Sequence, residues 1–536
     1  MRRPAAILGG AWLGPLRRRR RYRTFSERVE PGLEPRLHRF AQPPVLLDRQ
    51  LRPLPLAVCV DLESGGDPAA TRASLERQTV APEAVAEGRG PGTLDALRAD
   101  WLVIVPAGDR LAPAALERLG AAVAAADGAT LITCDEDEVG RRGQRTRPAC
   151  RPGPSPELLL ARDHLGAVLM MARDRALAVR PQPGGAWRYE LGLRLAGPAG
   201  AGHAHLPSIL VHRAPGPRRT ADELEVAAAA RVLAERGEPA ARVEPAGPGR
   251  RRVRRPAQSE PSVEAIVCFR DRPELLRRCT SSLLERSGYE RLTLRLVDNG
   301  SSDPAVAELL ARLERDPRVT AERDPRPFHF AALNNAAAAR SPADALVFVN
   351  NDVEALTPSW VAELLEEAQR EEVGAVAPLL LYDNGRVQHV GAALGLHGYA
   401  GHPFAGLVPD APTPLGSAVD GTRNWLAVSA ACLMVERRKF AAVGGFDEGF
   451  AVGGNDVDLC LRLTAAGHRS LCLPHVRMRH HESASRDPLA IPAGDLARSR
   501  ERYGAFRTVG DPFYNPNLTL VDTDCSLRAP DEPEPR

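Results

Sequence analysis

The chain has 536 residues, of which 43% are hydrophobic and 26% charged, an ordinary globular composition with room for about three domains. A formal net charge of +3 is too near zero for a dedicated nucleic-acid binder, and no apolar run approaches the ~18 residues that cross a bilayer. The 46 Gly and 48 Pro stay below the share that marks wholesale disorder.

Lys439 is the sole lysine among 71 basic residues. In a chain this rich in Ala, Gly and Pro, that is the imprint of a GC-rich genome rather than of selected guanidinium chemistry. Nine cysteines with no C-x-x-C pair argue against a disulfide framework or structural zinc, and for a reducing compartment. Cys432 in AACLMV and Cys460 in DLCLRL read as small buried hydrophobes.

In chain order, MRRPAAILGGAWLGPLRRRRRYR sets an apolar stretch behind two Arg, as a signal peptide does. Gly and Pro interrupt it, Arg17–Arg21 closes it, and no small-residue cleavage site follows. Residues 1–50 are expected as a basic, partly disordered segment; its functional reading is peripheral contact with anionic lipid. PLAVCVDL then reads as a buried strand, and residues 68–78 as a helix opened by Asp67-Pro68. ADWLVIVPAGD is a strand ending in a turn, LAPAALERLGAAVAAADG a helix, and ATLITCDEDE a strand running into acids. This alternation predicts a largely parallel α/β sheet over residues 51–220. Residues 221–260 read as a helix followed by a Pro/Arg-rich linker, with Arg250–Arg255 a solvated connector.

The alternation restarts over 261–510. SVEAIVCF, LTLRLVDNGSSD and ADALVFVNNDVEAL are strands, the last two ending in polar turns; PELLRRCTSSLLERS, PAVAELLARLER and PSWVAELLEEAQR are helices. Residues 511–536 are left as a C-terminal tail. The two halves share an order of strand, helix, strand and acidic turn, an imprecise duplication with a period of about 200 residues, far beyond solenoid repeats.

In open α/β sheets ligands bind beyond the carboxyl ends of the strands, so the informative residues follow the apolar strings. Asp298, Asp352 and the pair Asp456/Asp458 do so, and RMRHHES adds His480 and His481. A lone Asp there is usually a cap or turn; three in succession with a late histidine pair suit Mn2+ or Mg2+ held beside a diphosphate. Gly-x-Gly-x-x-Gly, the P-loop and G-x-S-x-G are absent.

The ordered set VDNGSSD, PFHFAALNNAAAA, VFVNNDVE, GGFDEGF…NDVDLCLRLTAAGH and HHES resembles family 2 glycosyltransferases of the GT-A fold. Within that family it is most similar to two-domain bacterial enzymes of O-antigen and capsule assembly, some of them rhamnosyltransferases. The resemblance covers about residues 261–485 and continues into DPFYNPNLTL. It implies two tandem, mostly parallel, Rossmann-like GT-A domains, the first degenerate.

The resemblance also implies roles. Arg270, Asp271, Asp298, Asn299 and Asn351 would bind the nucleotide sugar. Asp352 would hold Mn2+ or Mg2+ with His480 or His481, although Asn350 replaces the first acid of the family's D-x-D. Phe269 stands where Pro-Thr usually precedes the R-D-R. Asp456 would be the base of an inverting transfer from a nucleotide-sugar donor to a saccharide, or lipid-linked saccharide, acceptor. His389, Trp425 and Asp458 are acceptor-side candidates, with packing for Trp425 and helix capping for Asp458 as the plainer roles. The expected setting is cytoplasmic, peripheral on the inner membrane face, with no nucleic-acid partner. The alternatives are a UDP-hexose or UDP-N-acetylhexosamine donor in place of dTDP-rhamnose, and a noncatalytic saccharide- or nucleotide-binding scaffold.

In the first half the resemblance rests on CDEDEVG and RPGPSPELLLARDHLGAVLM. Only Asp109 stands where a metal turn is expected, His212 is the matching late histidine, and Trp187-Arg188-Tyr189-Glu190 replaces the base. Glu190 as base and Asp135–Asp137 as metal ligands would be its routes back to activity.

Overall fold

Short strings of Val, Leu, Ile and Ala bounded by Asp, Gly and Pro become strands wherever both faces can be covered. The computed structural model describes residues 15–47, 54–140, 142–216, 222–256, 259–481 and 491–532. The chain divides into two units: one comprises 1–254, 412–421 and 508–536, the other 255–411 and 422–507.

The first unit carries β1 (Arg36–Arg39), β2 (Val45–Leu46), β3 (Leu56–Asp61), β4 (Ala84–Gly88), β5 (Trp101–Pro106), β6 (Arg110–Leu111), β7 (Leu131–Val139), β8 (Arg145–Ala149), β9 (Leu169–Ala172) and β10 (His203–Arg213). A hairpin, β11 (Arg242–Gly247) and β12 (Arg250–Arg254), follows. The sheet runs β2-β1-β10-β7-β9-β5-β3-β4. β3 lies parallel to β4 and β5, β9 is antiparallel to both neighbours, and β7 pairs parallel with β10.

The second unit carries β13 (Val263–Phe269), β14 (Leu292–Asp298), β15 (Val319–Arg323), β16 (Ala345–Val349), β17 (Val353–Ala355), β18 (Val373–Leu381), β19 (Val387–His389), β20 (Ala393–Leu394), β21 (Ala400–Gly401), β22 (Arg423–Trp425), β23 (Cys432–Glu436) and β24 (Arg469–His480). Its sheet runs β15-β14-β13-β16-β23-β18-β24-β17. β15, β14, β13 and β16 are parallel, and β23 is the antiparallel insertion between β16 and β18. The order β14-β13-β16-β23-β18-β24 repeats β4-β3-β5-β9-β7-β10 of the first unit, which adds β1 and β2 beyond β10, so the expected pair of tandem α/β domains is present.

Local sequence explains the helices. Asp303 accepts from the Ala305 N–H (2.9 Å) with Pro304 at the first position of Pro304–Leu313, and Asp67 with Pro68 does the same for Pro68–Leu75. Pro273–Glu285 buries Leu276, Cys279 and Leu283, a stripe at helical spacing, against the sheet. Cys432 and Cys460 are buried and free, as small core residues. Lys439 is also buried: its Nζ donates to the carbonyls of Ala368 (3.2 Å), Arg370 (2.6 Å) and Val373 (2.6 Å) and pairs with Glu436. It closes the C-terminal end of the Trp360–Ala368 helix.

Three expectations change. The described part of residues 1–50 is folded: helix Pro15–Arg28 buries Tyr22 and Phe25, and β1 pairs with β10. The side chains of Arg17–Arg19 lie outside the described residues, while Arg21 donates to the Leu527 carbonyl (2.9 Å). The supposed connector Arg250–Arg255 contains a strand; Arg251 is buried against Glu225 and stacks on the Tyr189 ring at 4.4 Å. Residues 511–532 are no loose tail, because Asn515 and Asn517 both donate to Asp135 (2.8 and 2.9 Å to Oδ2) inside the first unit.

Asp135 belongs to the acidic run of β7, whose members are all buried. Glu136 accepts from Arg151 and the Ala167 N–H (both 2.6 Å), and Glu138 from Arg213 (2.7 Å). Asp137 accepts from Tyr22, Arg145 (2.6 Å) and His212 (2.7 Å). Each carboxylate is thus occupied by protein donors, and among the described residues no group of three or more His, Cys, Asp or Glu could hold a metal.

Buried imidazoles line the same region. His38 donates through Nδ1 to the Pro512 carbonyl (3.1 Å), and His203 meets Thr133 Oγ1 (2.8 Å). Burial lowers both from 6.5 to about 3. Between those values the unfolded chain binds more protons than the folded one. Stability is therefore complete above pH 6.5 and falls as pH drops, by up to about 1.4 kcal/mol per pH unit for each group. The melting midpoint is expected to fall from pH 7.5 to pH 5, with part of the fall removed in His38→Asn; a midpoint that holds or rises contradicts this assignment.

Candidate active site

The carboxyl ends of β13, β14 and β16 open on one edge of the second sheet, where the topology predicts ligand binding. Asp298 ends β14. Its Oδ1 accepts from the Ser301 N–H (2.7 Å), and Arg323 approaches Oδ2 (3.3 Å). Asn299 donates through Nδ2 to the carbonyls of Asp324 (2.8 Å) and Arg326 (2.7 Å). Its Oδ1 is buried with no hydrogen-bond partner among the described residues.

Asp271 and Arg272 both take positive φ, 54° and 56°. The carboxylate of Asp271 explains the strain: it accepts from the N–H groups of Ser302 (2.8 Å) and Asp303 (3.0 Å), which hold its carboxyl below the usual range. Asp271 thereby ties the β13 loop to the β14 loop, while the neighbouring Arg270 is exposed.

Asn350-Asn351-Asp352 forms the tight turn between β16 and β17. Asp352 is buried, and Asn351 is half-buried. Val353 lies opposite His480 in the β17–β24 ladder, which brings His480 Nε2 to 3.2 Å from Asp352 Oδ1. Strand side chains alternate faces, so His481 turns away; it pairs with Asp383 (2.6 Å) and Glu354 (3.3 Å). The structure therefore brings one histidine, His480, to Asp352.

Asp456 lies in the first turn of helix Asn455–Ala465, half-buried. Its Oδ1 accepts from the Val457 N–H (2.8 Å) and its Oδ2 from the Ala430 N–H (3.2 Å). Asp458 is buried in ion pairs with Arg462 (2.8 Å) and Arg502 (3.3 Å), which leaves it a structural anchor, not an acceptor contact.

One short segment gathers these parts. The Ser429 N–H donates to His389 Nε2 (3.1 Å), the Ala430 N–H to Asp456, and the Ala431 carbonyl accepts from the Asn350 N–H (3.0 Å). Asp456 and the Asn350–Asp352 turn, the candidates for base and metal site, are thus held by neighbouring residues. His389 is buried, and burial, followed by the nearby His402 and His480, lowers its pKa well below the usual value. Since neutral His389 accepts at Nε2, its Nδ1 carries the proton and donates to His402 Nδ1 (2.9 Å). His389 is thereby linked to the half-buried His402.

Trp425 is a correction. It is 1% exposed, Gly391 packs against its ring face, and the Arg423 guanidinium lies 4.4 Å from its centroid. The ring is filled on its faces by protein and offers none to a sugar. Tyr399, absent from the expected set, has its hydroxyl against Gly454, two residues before Asp456, and burial, with the Asp456 carboxylate adding to it, pushes its phenol up to about 12.

The first unit repeats this layout with other chemistry. Arg110 lies opposite His212 in β10 as Val353 lies opposite His480 in β24. Asp109, however, accepts from the Ala214 N–H (2.8 Å), and His212 turns to Asp137. Arg188 donates to the carbonyl of Ala167, two residues before β9, the place that Ala430 has before β23. Glu190 pairs with Arg194 (2.8 Å) as Asp458 does with Arg462. Arg188 therefore stands at the position of Asp456, and Glu190 matches the anchor rather than the base.

Residues 264–400 match Glycosyl transferase family 2, so the second unit contains a domain of that family. The chain is 41% identical over 451 residues to the O-antigen biosynthesis protein RfbC of Myxococcus xanthus, covering 81% of this chain and 35% of that protein. It is 32% identical over 157 residues to the N-acetylglucosaminyl-diphospho-decaprenol L-rhamnosyltransferase of Mycobacterium tuberculosis, covering 27% of this chain and 50% of that one. The chain thus spans about a third to a half of these relatives' length. Among solved structures, GalNAc-T7 with UDP, GalNAc and Mn2+ aligns at a TM-score of 0.35 and 14% identity over 42% of this chain and 44% of that chain.

Gly454 precedes the base helix at φ +89°, and a Cβ there would collide with the hydroxyls of Tyr399 and Tyr503. Gly454→Ala is expected to cost about 2 kcal/mol, from backbone strain and displaced hydroxyls, in chemical denaturation. A variant within 0.5 kcal/mol of wild type, about the spread of neutral surface changes, would show that this turn is not constrained.

Proposed function

We propose that this family 2 glycosyltransferase moves a sugar, with inversion, from a nucleotide-sugar donor to a growing bacterial surface saccharide such as O-antigen. The observation that carries the reading is the shared support of Asp456 and the Asn350–Asp352 turn by Ser429–Ala431. A half-buried carboxylate and a divalent-metal turn are thereby presented together. The names of the two relatives support the acceptor class: an O-antigen pathway for one, and a lipid-diphosphate-linked saccharide and a rhamnosyl group for the other. Rhamnose carried on dTDP is accordingly the favoured donor.

In the proposed reaction an acceptor hydroxyl oxygen attacks the anomeric carbon opposite the diphosphate. The new C–O bond forms as the bond to phosphate breaks, the nucleoside diphosphate leaves with the bonding pair, and the hydroxyl proton passes to Asp456. Each oxygen of Asp456 accepts one backbone N–H and keeps lone-pair capacity for that proton. Asp298, Asn299 and Asn351, with Arg270 nearby, would take the nucleotide; the unpartnered Asn299 Oδ1 is an acceptor for a base or ribose donor.

Asp352 and His480 fit a divalent ion. They offer one carboxylate and one imidazole, and His480 Nδ1 is buried with no hydrogen-bond partner among the described residues. Two protein ligands leave the remaining positions to phosphate oxygens. Bound there, Mn2+ or Mg2+ would neutralise charge on the leaving diphosphate.

The reading places the enzyme in the cytoplasm at the inner membrane face, where lipid-linked acceptors are built. No helix of the described residues is long and apolar enough to cross a membrane. The first unit, with Arg188 at the base position, adds no second active site.

Asp456→Asn is expected to lower turnover by roughly 10²–10⁴-fold while donor binding persists, read as nucleoside diphosphate release from UDP-, dTDP- and GDP-sugars with Mn2+. Turnover within about tenfold of wild type would overturn the assignment of Asp456 as the base. His480→Ala is expected to weaken Mn2+ binding in the presence of dTDP or UDP by at least tenfold, and His481→Ala to leave it within about threefold. Equal losses in the two variants would contradict the choice of His480.

A further inference from the structure

The base sits on a helix whose approach loop is held almost wholly by its backbone. We infer that Asp495 is a positioning residue for the reaction, setting the place of Asp456 through the loop Phe450–Gly454; the inference rests on Asp456 being the base.

Asp495, in helix Ala493–Arg502, is 2% exposed. Its Oδ1 accepts from the Ala451 N–H (3.0 Å), and its Oδ2 from the N–H groups of Val452 and Gly453 (both 2.9 Å). Three successive N–H groups thus converge on one buried carboxylate, in charge-assisted hydrogen bonds that are costly to leave unmade. The carbonyls of the loop are also taken. Ala451 accepts from the Phe330 N–H (2.8 Å), Gly453 from the Tyr399 hydroxyl (3.3 Å) and Gly454 from the Tyr503 hydroxyl (2.5 Å). Asp456 follows two residues after Gly454.

The same stretch of chain makes further ties to this loop and helix. Arg498 pairs with Asp447 (2.6 Å) and Arg502 with Asp458 (3.3 Å), one on each side of the loop. Among the described residues, the hydrogen-bond donors to the Asp456 carboxylate are the N–H groups of Val457 and Ala430. Its carboxylate is therefore placed by where the helix begins, and Asp495 fixes that point. A displacement of about 1 Å at a reacting group costs on the order of 10²-fold in rate. The donor-side residues Asp298, Asn299 and Asp352 hang from β14 and β16 and share no hydrogen bond with Asp495. The effect is thus on turnover and not on donor affinity.

The test uses the full chain. In Asp495→Asn the amide keeps one acceptor oxygen but turns N–H donors toward loop N–H groups. Expected are a 10–100-fold lower kcat with the donor KM within about twofold, and faster hydrogen exchange at residues 451–453 with unchanged exchange in β13 and β16. Wild-type exchange at 451–453, or a kcat within twofold of wild type, would overturn the inference. If Asp495→Asn loses its fold, Tyr503→Phe removes only a hydroxyl, which together with the Asp458 N–H holds the Gly454 carbonyl. A several-fold fall in kcat at constant KM is expected there, and wild-type kcat overturns the inference. Asp456→Asn is assayed alongside. Wild-type turnover in that variant sinks the base assignment itself; an inactive Asp456→Asn beside a fully active Asp495→Asn sinks only the positioning role.

Discussion

Backbone polar groups that leave water must find partners, and in the second unit three residues spend theirs on the site. Ser429–Ala431 precede the antiparallel strand β23, which lies between β16 and β18. From there one N–H reaches an imidazole, the next a carboxylate, and a carbonyl holds the turn after β16. The site is therefore hung on the sheet rather than on mobile loops, an arrangement that suits chemistry dependent on fixed distances.

The first unit puts the same frame to a different arrangement of polar groups. The order of its six central strands repeats that of the second unit, and its β6–β10 register repeats that of β17–β24. The polar residues have instead turned inward. Four consecutive acids on β7 are buried, and the donors that satisfy them come from an N-terminal helix, a C-terminal segment and neighbouring strands. Truncating one partner of such a buried pair leaves an uncompensated charge, which is strongly destabilising. The network thus makes the far ends of the chain obligatory parts of one fold. Arg188 then stands where the second unit has Asp456, which reverses the charge at that position.

Much of this was legible in the residues, and the exceptions have physical causes. Asp298 ends β14 and Asp352 follows β16, so position singled them out, whereas Asp456, in the first turn of a helix, was named through the motif order that carries the family resemblance. The choice between His480 and His481 needed the register of β17 on β24, because adjacent strand residues face opposite ways. The Arg250–Arg255 run looked like a solvated linker, yet Arg251 is buried once Glu225 and the Tyr189 ring cover it; charge runs reveal nothing of partners distant in sequence. Asp495 was illegible for a related reason. It binds backbone N–H groups, which carry no residue signature, some forty positions away. Trp425 illustrates the converse: an aromatic near a site reads equally well as a stacking surface or as core, and only burial decides.

The single lysine has a consequence for handling the molecule. Its ammonium is enclosed by three carbonyls and a carboxylate at the end of the Trp360–Ala368 helix, and burial lowers its pKa. The folded surface therefore presents no side-chain primary amine to acylating reagents, amine cross-linkers or lysine-modifying enzymes, and trypsin can cut that surface only after arginine. Acylation of Lys439 requires the second unit to open. Its extent under mild denaturation would count, molecule by molecule, how often that unit unfolds.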